Sequence, residues 1–201
     1  MDVRRGHLCL SEAWEGMMES VTLDIDGKPI EAAGGTTLLE AARANGIEIP
    51  THCNDENLRP YGGCRLCMVE VARGDRKRLV AACLYEVEQG LVVRTRNSRI
   101  DRIRKMIIEL TWPNMREYAE EYGAEADRFG NENTDCALCG KCVRFCAESR
   151  LGDIVYFKGR GIHRDIDLTP GRDFDYDVYM KCMSFCPGGR LMNKIVKLWE
   201  E

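Results

Sequence analysis

The period of the apolar positions changes partway along this 201-residue chain, from two to 3.6. Val21-Thr22-Leu23-Asp24-Ile25-Asp26 alternates apolar and polar, as a half-buried strand does. Asp26-Gly27 is a hairpin-turn signal, and Lys28–Ala33 returns as a second strand. Thr36 or Thr37 caps a short helix over 38–45, with Gly46 as the residue that ends it. The stretch 47–67 is rich in Gly, Asn, Pro and Cys and reads as loop. Strands follow at 68–71, 79–82 and 91–93, giving a small mixed sheet with one helix packed across it. From Asn97 the helical period takes over: Ile100, Ile103, Ile107 and Leu110 form one apolar stripe, with Asn97 or Ser98 as cap and Pro113 beyond the end. A second helix is expected over 115–122, and the acidic run 117–127 reads as solvated surface.

Composition narrows the class. A hydrophobic share of 44% against 31% charged residues supports a packed core. No apolar run approaches the roughly 20 residues of a membrane helix. No apolar core follows the charges of Met1-Asp2-Val3-Arg4-Arg5-Gly6, so a secretory signal is not expected, and the reading places the protein in the cytoplasm. Residues 1–19 read as an N-terminal extension, with Met17-Met18 as a second plausible start. A net charge of −4 argues against nucleic acid as the main partner. Arg94, Arg96, Arg99, Arg102, Arg104 and Lys105 cluster locally, either as a solvated helix face with a strand end or as a docking patch for an acidic partner.

Eleven cysteines decide the chemistry. Tight cysteine spacing in a cytosolic chain points to metal rather than disulfides, and an odd count leaves a thiol outside any pairing scheme. Cys53, Cys64, Cys67 and Cys83 are spaced C-x10-C-x2-C-x15-C. The close pair Cys64 and Cys67 can reach one metal centre together, and Gly62-Gly63 lets backbone N–H groups turn toward sulfur. Four thiolates from loops beside a small sheet suit a [2Fe–2S] cluster; a structural zinc site is the alternative, although zinc ribbons use two close pairs.

The stretch Pro50-Thr51-His52-Cys53, Tyr61-Gly62-Gly63-Cys64-Arg65-Leu66-Cys67-Met68-Val69-Glu70-Val71 and Ala82-Cys83 resembles the N-terminal ferredoxin domain of the large iron–sulfur subunit of respiratory complex I. The same domain is found in iron-only hydrogenases, NAD-linked hydrogenase diaphorase subunits and formate dehydrogenases. Farther on, Cys136-Ala137-Leu138-Cys139-Gly140-Lys141-Cys142-Val143-Arg144-Phe145-Cys146 and Cys182-Met183-Ser184-Phe185-Cys186-Pro187 resemble a bacterial two-cluster ferredoxin. In that family three cysteines of one run join the remote Cys of the other Cys-Pro motif. The resemblance therefore implies a [4Fe–4S] cluster on Cys136, Cys139, Cys142 and Cys186. A second cubane would need Cys146 and Cys182 with cysteines at two positions held by Tyr176 and Tyr179. That site is expected to be empty, with the tyrosines filling its space and Cys146 and Cys182 left as thiols; rescue by Asp175 or Asp177 is the alternative. The Cys-x3-His type motif that such relatives carry after the connector helix is also missing from Leu110-Thr111-Trp112-Pro113-Asn114.

The resulting expectation is an α+β chain: an N-terminal β-grasp-like [2Fe–2S] ferredoxin domain over 20–96, a helical connector over 97–134 and a C-terminal bacterial-ferredoxin-like [4Fe–4S] domain over 135–201. No dinucleotide fingerprint, phosphate loop or nucleophile–base set is present in the sequence, so FMN or FAD and NAD(P) are expected on partner subunits. The expected function is electron relay in a hetero-oligomeric NAD(P)H-linked oxidoreductase, of hydrogenase diaphorase, formate dehydrogenase or bifurcating transhydrogenase type, with ferredoxin as a candidate external partner. A free ferredoxin-like carrier and a zinc-holding scaffold are the alternatives. The apolar positions Leu191, Ile195 and Leu198 are expected to offer partner-binding surface. His52 reads as a loop-packing residue or a donor near the cluster, His7 and His163 as surface residues and Cys9 as a free thiol.

Overall fold

The computed structural model describes residues 20–130, 134–149, 154–170, 176–186 and 189–200, and the 1–19 extension with His7 and Cys9 lies outside them. The chain divides into two compact units, one of residues up to Pro50 with Cys67–Ile100, the other of Thr51–Leu66 with Asp101 onward.

The first unit is built on a five-stranded sheet of order β2-β1-β5-β3-β4. Strands β1 (Ser20–Ile25) and β2 (Lys28–Ala33) pair antiparallel from Ser20↔Ala33 to Ile25↔Lys28. Their turn residues Asp26 and Gly27 both have positive φ, 53° and 83°, which matches the right-handed twist of the flanking strands. β3 (Met68–Arg73) and β4 (Arg76–Ala81) form a second hairpin. β5 (Val92–Arg94) joins the two, parallel to β1 and antiparallel to β3. Along β3 only Val69 and Val71 turn into the core, so the period-two pattern is realised. Helix α1 (Leu38–Ala44) starts at Thr37, whose hydroxyl accepts the Glu40 amide while the Glu40 carboxylate accepts the Thr37 amide. It buries Leu38, Leu39, Ala41 and Ala42 against Leu23, Ile25, Val69 and Val93. Its first amides donate to Tyr85 and Ala82 carbonyls, which ties the helix start to the segment that follows β4.

Helix α2 (Ser98–Leu110) begins under the Asn97 side chain, which accepts the Arg99 and Ile100 amides. Its buried face is not the expected apolar stripe. Leu110 is 52% exposed, Ile103 and Ile107 are only half-buried, and the buried positions past Asp101 are Arg104, Ile108 and Glu109. Arg104 therefore does not belong to a basic surface patch: it is 1% exposed, and it donates to the Leu66 carbonyl and the Tyr122 hydroxyl, both at 3.1 Å. Glu109 accepts from the Glu125 amide at 3.1 Å and from Arg128 at 2.9 Å. A long charged side chain can be buried when its head is hydrogen-bonded, and apolar counting does not see it. Leu66, Ile108, Met115 and Tyr122 pack around this core, Tyr122 coming from the one-turn helix α3 (Ala119–Tyr122) that follows a 3-10 turn over Arg116–Tyr118.

The rest of the second unit is α4 (Lys141–Glu148), the hairpin of β6 (Val155–Lys158) and β7 (Asp165–Leu168), α5 (Tyr176–Ser184) and α6 (Arg190–Glu200). β6 and β7 pair antiparallel from Val155↔Leu168 to Lys158↔Asp165. Ile154, Val155, Ile166 and Leu168 share a core with Leu191 and Ile195 of α6. These two α6 side chains thus face their own unit instead of offering partner-binding surface; among the described side chains of that helix Met192 and Val196 are the exposed apolar ones, and that of Leu198 lies outside them. Among the described residues no helix is long and apolar enough to cross a membrane.

Two outcomes are expected from this arrangement. Arg104→Leu leaves a buried carbonyl and a buried hydroxyl without their donor and should cost about 2–3 kcal/mol in urea unfolding, whereas Arg102→Ala, on the exposed side, should stay within about 0.5 kcal/mol. Burial by itself would raise the Glu109 carboxyl, but the Glu125 amide, Arg128 and Lys105 hold its pKa below the usual 4.5. A folded pKa below the unfolded one gives stability that is complete above about pH 4.5 and lost as pH falls through the folded value. Glu109→Gln should therefore lower stability at pH 7 and shrink the loss between pH 5 and pH 3, read from urea midpoints across that range.

Candidate metal centres

In the first unit the register of β3 and β4 decides where two thiols go. Met68 pairs with Ala81, so Cys67 comes opposite Ala82, whose amide donates to the Cys67 carbonyl at 3.1 Å. Cys83 follows directly, and its sulfur lies 3.5 Å from that of Cys67. Both are buried in the core beneath α1.

In the second unit the loop Thr51–Leu66 pairs Cys53 with Cys64, whose side chains hydrogen-bond each other. Amides of Gly63 and Cys64 point at the Cys53 sulfur, and those of Leu66, Cys53 and His52 at the Cys64 sulfur. This shared hydrogen bond holds the Cys64 thiol below its ordinary pKa, and together with burial it pushes the Cys53 thiol up. A Cβ at Gly63 would run into the Tyr61 ring, so a side chain there would require that ring to move. Arg65 supplies the turn, with φ at 59°. His52 lies near the Cys64 sulfur; its buried Nε2 has no hydrogen-bond partner, and burial lowers its pKa.

Four further cysteines, Cys136, Cys139, Cys142 and Cys186, line one cavity together with Leu138, Ile166 and Phe185. Two left-handed residues, Leu138 at φ 51° and Gly140 at φ 73°, fold the Cys-x2-Cys loop around it. The Leu138 amide donates to the Cys136 sulfur at 3.4 Å, and the Lys141 and Val143 amides point at the sulfurs of Cys139 and Cys142. Burial raises the pKa of Cys136 and Cys139, and burial with three neighbouring thiols pushes Cys142 up to about 12. Four sulfurs that cannot all be charged unaided, in a pocket with amides aimed at them, are a donor set suited to a soft polycationic group. Among the described residues no three His, Cys, Asp or Glu side chains close on a single metal ion.

Charged groups around the cavity fix its walls. Arg190 at the start of α6 bonds Asp135 at 2.6 Å, next to Cys136, and Asp165 on β7 at 3.1 Å. Lys194 adds Asp165 at 3.0 Å. Burial opposes ionisation of Asp135, yet Arg190 and Asn193 hold its carboxyl below the usual range.

Cys146, one turn beyond Cys142 on α4, meets Cys182 of α5 instead of the cavity, sulfur to sulfur at 2.9 Å. The side chains of Tyr176 and Tyr179, and Asp175 and Asp177, lie outside what the structure describes. His163 is exposed.

Arg144 is the functional residue that sequence patterning missed. From α4 it donates to the carbonyls of Cys53 and Arg59 and stacks 5.2 Å from the centre of the Tyr61 ring. On the same helix, Glu148 accepts the Arg59 amide at 3.0 Å, and Lys141 is 3.9 Å from Asp55. The helix that carries Cys142 thus holds the loop that carries Cys53 and Cys64. The partners are backbone atoms some 90 residues away, for which spacing gives no signal. Arg144→Ala should speed hydrogen exchange of the amides over 54–61 by about tenfold or more, the cost of losing one charge-assisted bond pair, while amides of the β6–β7 hairpin stay unchanged.

Residues 18–98 match the family described as 2Fe-2S iron-sulfur cluster binding domain. The NADPH-Fe(3+) oxidoreductase subunit alpha of Geobacter sulfurreducens is 31% identical over 88% of this chain and 24% of its own length. The mitochondrial NADH-ubiquinone oxidoreductase 78 kDa subunit of Candida albicans is 26% identical over 88% of this chain and 29% of its own. A chain of the crystal structure of an NAD+-reducing [NiFe]-hydrogenase in the H2-reduced state superposes with a TM-score of 0.66 at 26% identity, covering 76% of each chain. The present chain spans about a quarter of the length of the curated relatives it matches. Residues 18–98 thus match a 2Fe-2S iron-sulfur cluster binding domain, in a chain similar over most of its length to parts of subunits of NADH- and NADPH-linked oxidoreductases.

Proposed function

We propose that this chain is an electron-transfer subunit of a multi-subunit NAD(P)H-linked oxidoreductase. Cys53, Cys64, Cys67 and Cys83 would hold a [2Fe–2S] cluster, and Cys136, Cys139, Cys142 and Cys186 a [4Fe–4S] cluster. When bound, such clusters supply one-electron transfer. The observation that carries the second assignment is the cavity lined by those four cysteines. Support for the first comes from the family match over 18–98 and from the two thiol pairs, Cys67 with Cys83 and Cys53 with Cys64.

The residues around the sulfurs have definable roles. Amides of Gly63, Leu66, Leu138, Lys141 and Val143 are aimed at the sulfurs and would stabilise added negative charge on bound clusters. Ile166 and Phe185 keep water from the cavity wall, and Arg190 with Asp135 holds the Cys136 loop to α6. This reading keeps the division into 20–96, 97–134 and 135–201, and it places flavin and NAD(P) on partner subunits in a cytoplasmic hetero-oligomer, with ferredoxin as an external partner. A free carrier is the second reading, favoured by the inward placement of Leu191 and Ile195; the native size of the purified protein separates the two.

Anaerobic purification followed by iron and sulfide counting should give about six irons and six sulfides per chain. Cys67→Ser should erase only the [2Fe–2S] EPR signal, and Cys139→Ser only the cubane signal. Protein without inorganic sulfide, or stoichiometric in zinc, would overturn the assignment.

A further inference from the structure

In the proposed relay the thiols of Cys146 and Cys182 hold no iron, and their placement points to another role. Their sulfurs stand 2.9 Å apart, across 36 residues of chain, at 0% and 2% exposure. They share a buried core with Ile154, Val155, Ile166, Leu168, Leu191 and Ile195 and with Cys142, whose thiol also lies near Cys182. A disulfide needs about 2.0 Å between sulfurs, so closure asks for a shift of roughly 1 Å. We propose that Cys146 and Cys182 are an oxidation site, a dithiol that closes to a disulfide under a small two-electron oxidant of the hydrogen peroxide class.

The step balances. One sulfur takes an oxygen from peroxide to become a sulfenic acid, and the first water leaves. The second thiol attacks that sulfur, the S–S bond forms, and the sulfenic oxygen departs as a second water. The two sulfurs lose two electrons and peroxide gains two. Peroxide is close to water in size, and the resolving thiol already stands 2.9 Å away, so capture of the sulfenic acid needs only the shift of roughly 1 Å.

Placement gives the bond a consequence. Cys146 lies one helical turn past Cys142, and Cys182 lies four residues before Cys186. Closure therefore staples α4 to α5 between the two segments that carry the proposed [4Fe–4S] ligands. The inference rests on the reading that those ligands leave this pair free, and the test separates the two.

The anaerobic holoprotein, full length, is treated with one equivalent of hydrogen peroxide, denatured, alkylated and mapped by mass spectrometry. The expected product joins the peptides of Cys146 and Cys182, with two fewer alkylated thiols and the cubane EPR signal retained. Cys146→Ala and Cys182→Ala should keep the iron count and lose the cross-link. Recovery of both peptides in alkylated form after treatment overturns the proposal, and so does a cross-link from either residue to a different cysteine. Loss of the cubane signal in Cys146→Ala or Cys182→Ala shows these sulfurs serving iron, which overturns this inference and leaves the relay standing. Wild-type protein without iron overturns the relay, while its peptide map still decides the cross-link.

Discussion

Buried sulfur that cannot all be ionised is the constraint on which the rest of this fold depends. Cys53, Cys67, Cys83 and Cys142 are all buried, and each stands beside further thiols. Desolvation pushes the thiols of Cys136, Cys139 and Cys142 up, and amide dipoles or a positive group can offset that. The backbone answers with left-handed turns at Arg65, Leu138 and Gly140, which aim N–H groups at sulfur within a few residues. Such loops have few contacts of their own and need rigid neighbours.

Those neighbours differ in kind between the units. In the first, strand register positions the sulfurs. The β3–β4 hairpin sets Cys67 beside Cys83, and α1 clamps the segment after β4 through its own first amides. In the second, charged side chains hold the loops. Arg144 and Glu148 of α4 fix the Cys53–Tyr61 loop, and Arg190 and Lys194 of α6 bind Asp135 and the β7 aspartates. A loop has little apolar surface to bury, so guanidinium-to-carbonyl bonds are the available means of fixing it.

The contact of Cys146 with Cys182 belongs to the same logic. Helix periodicity sends Cys142 and Cys146 to one face of α4, but the cavity ends before the second is reached. The extra thiol meets its counterpart on α5 in an apolar core. Two sulfurs there satisfy each other more readily than either could alone.

By itself the sequence determined the strands of the first sheet, α1 with its Thr37 cap and the helical period from Asn97. These are local matters of alternation and capping. Tertiary structure alone decided the buried face of α2, where Arg104 and Glu109 displace Leu110 from the interior, because hydrogen-bond partners for a charged head come from elsewhere in the chain. It also decided the inward turn of Leu191 and Ile195 and the attachment of Arg144 to the Cys53 carbonyl. Spacing can say which sulfurs are able to meet; only packing says which backbone oxygens and which charges hold them there.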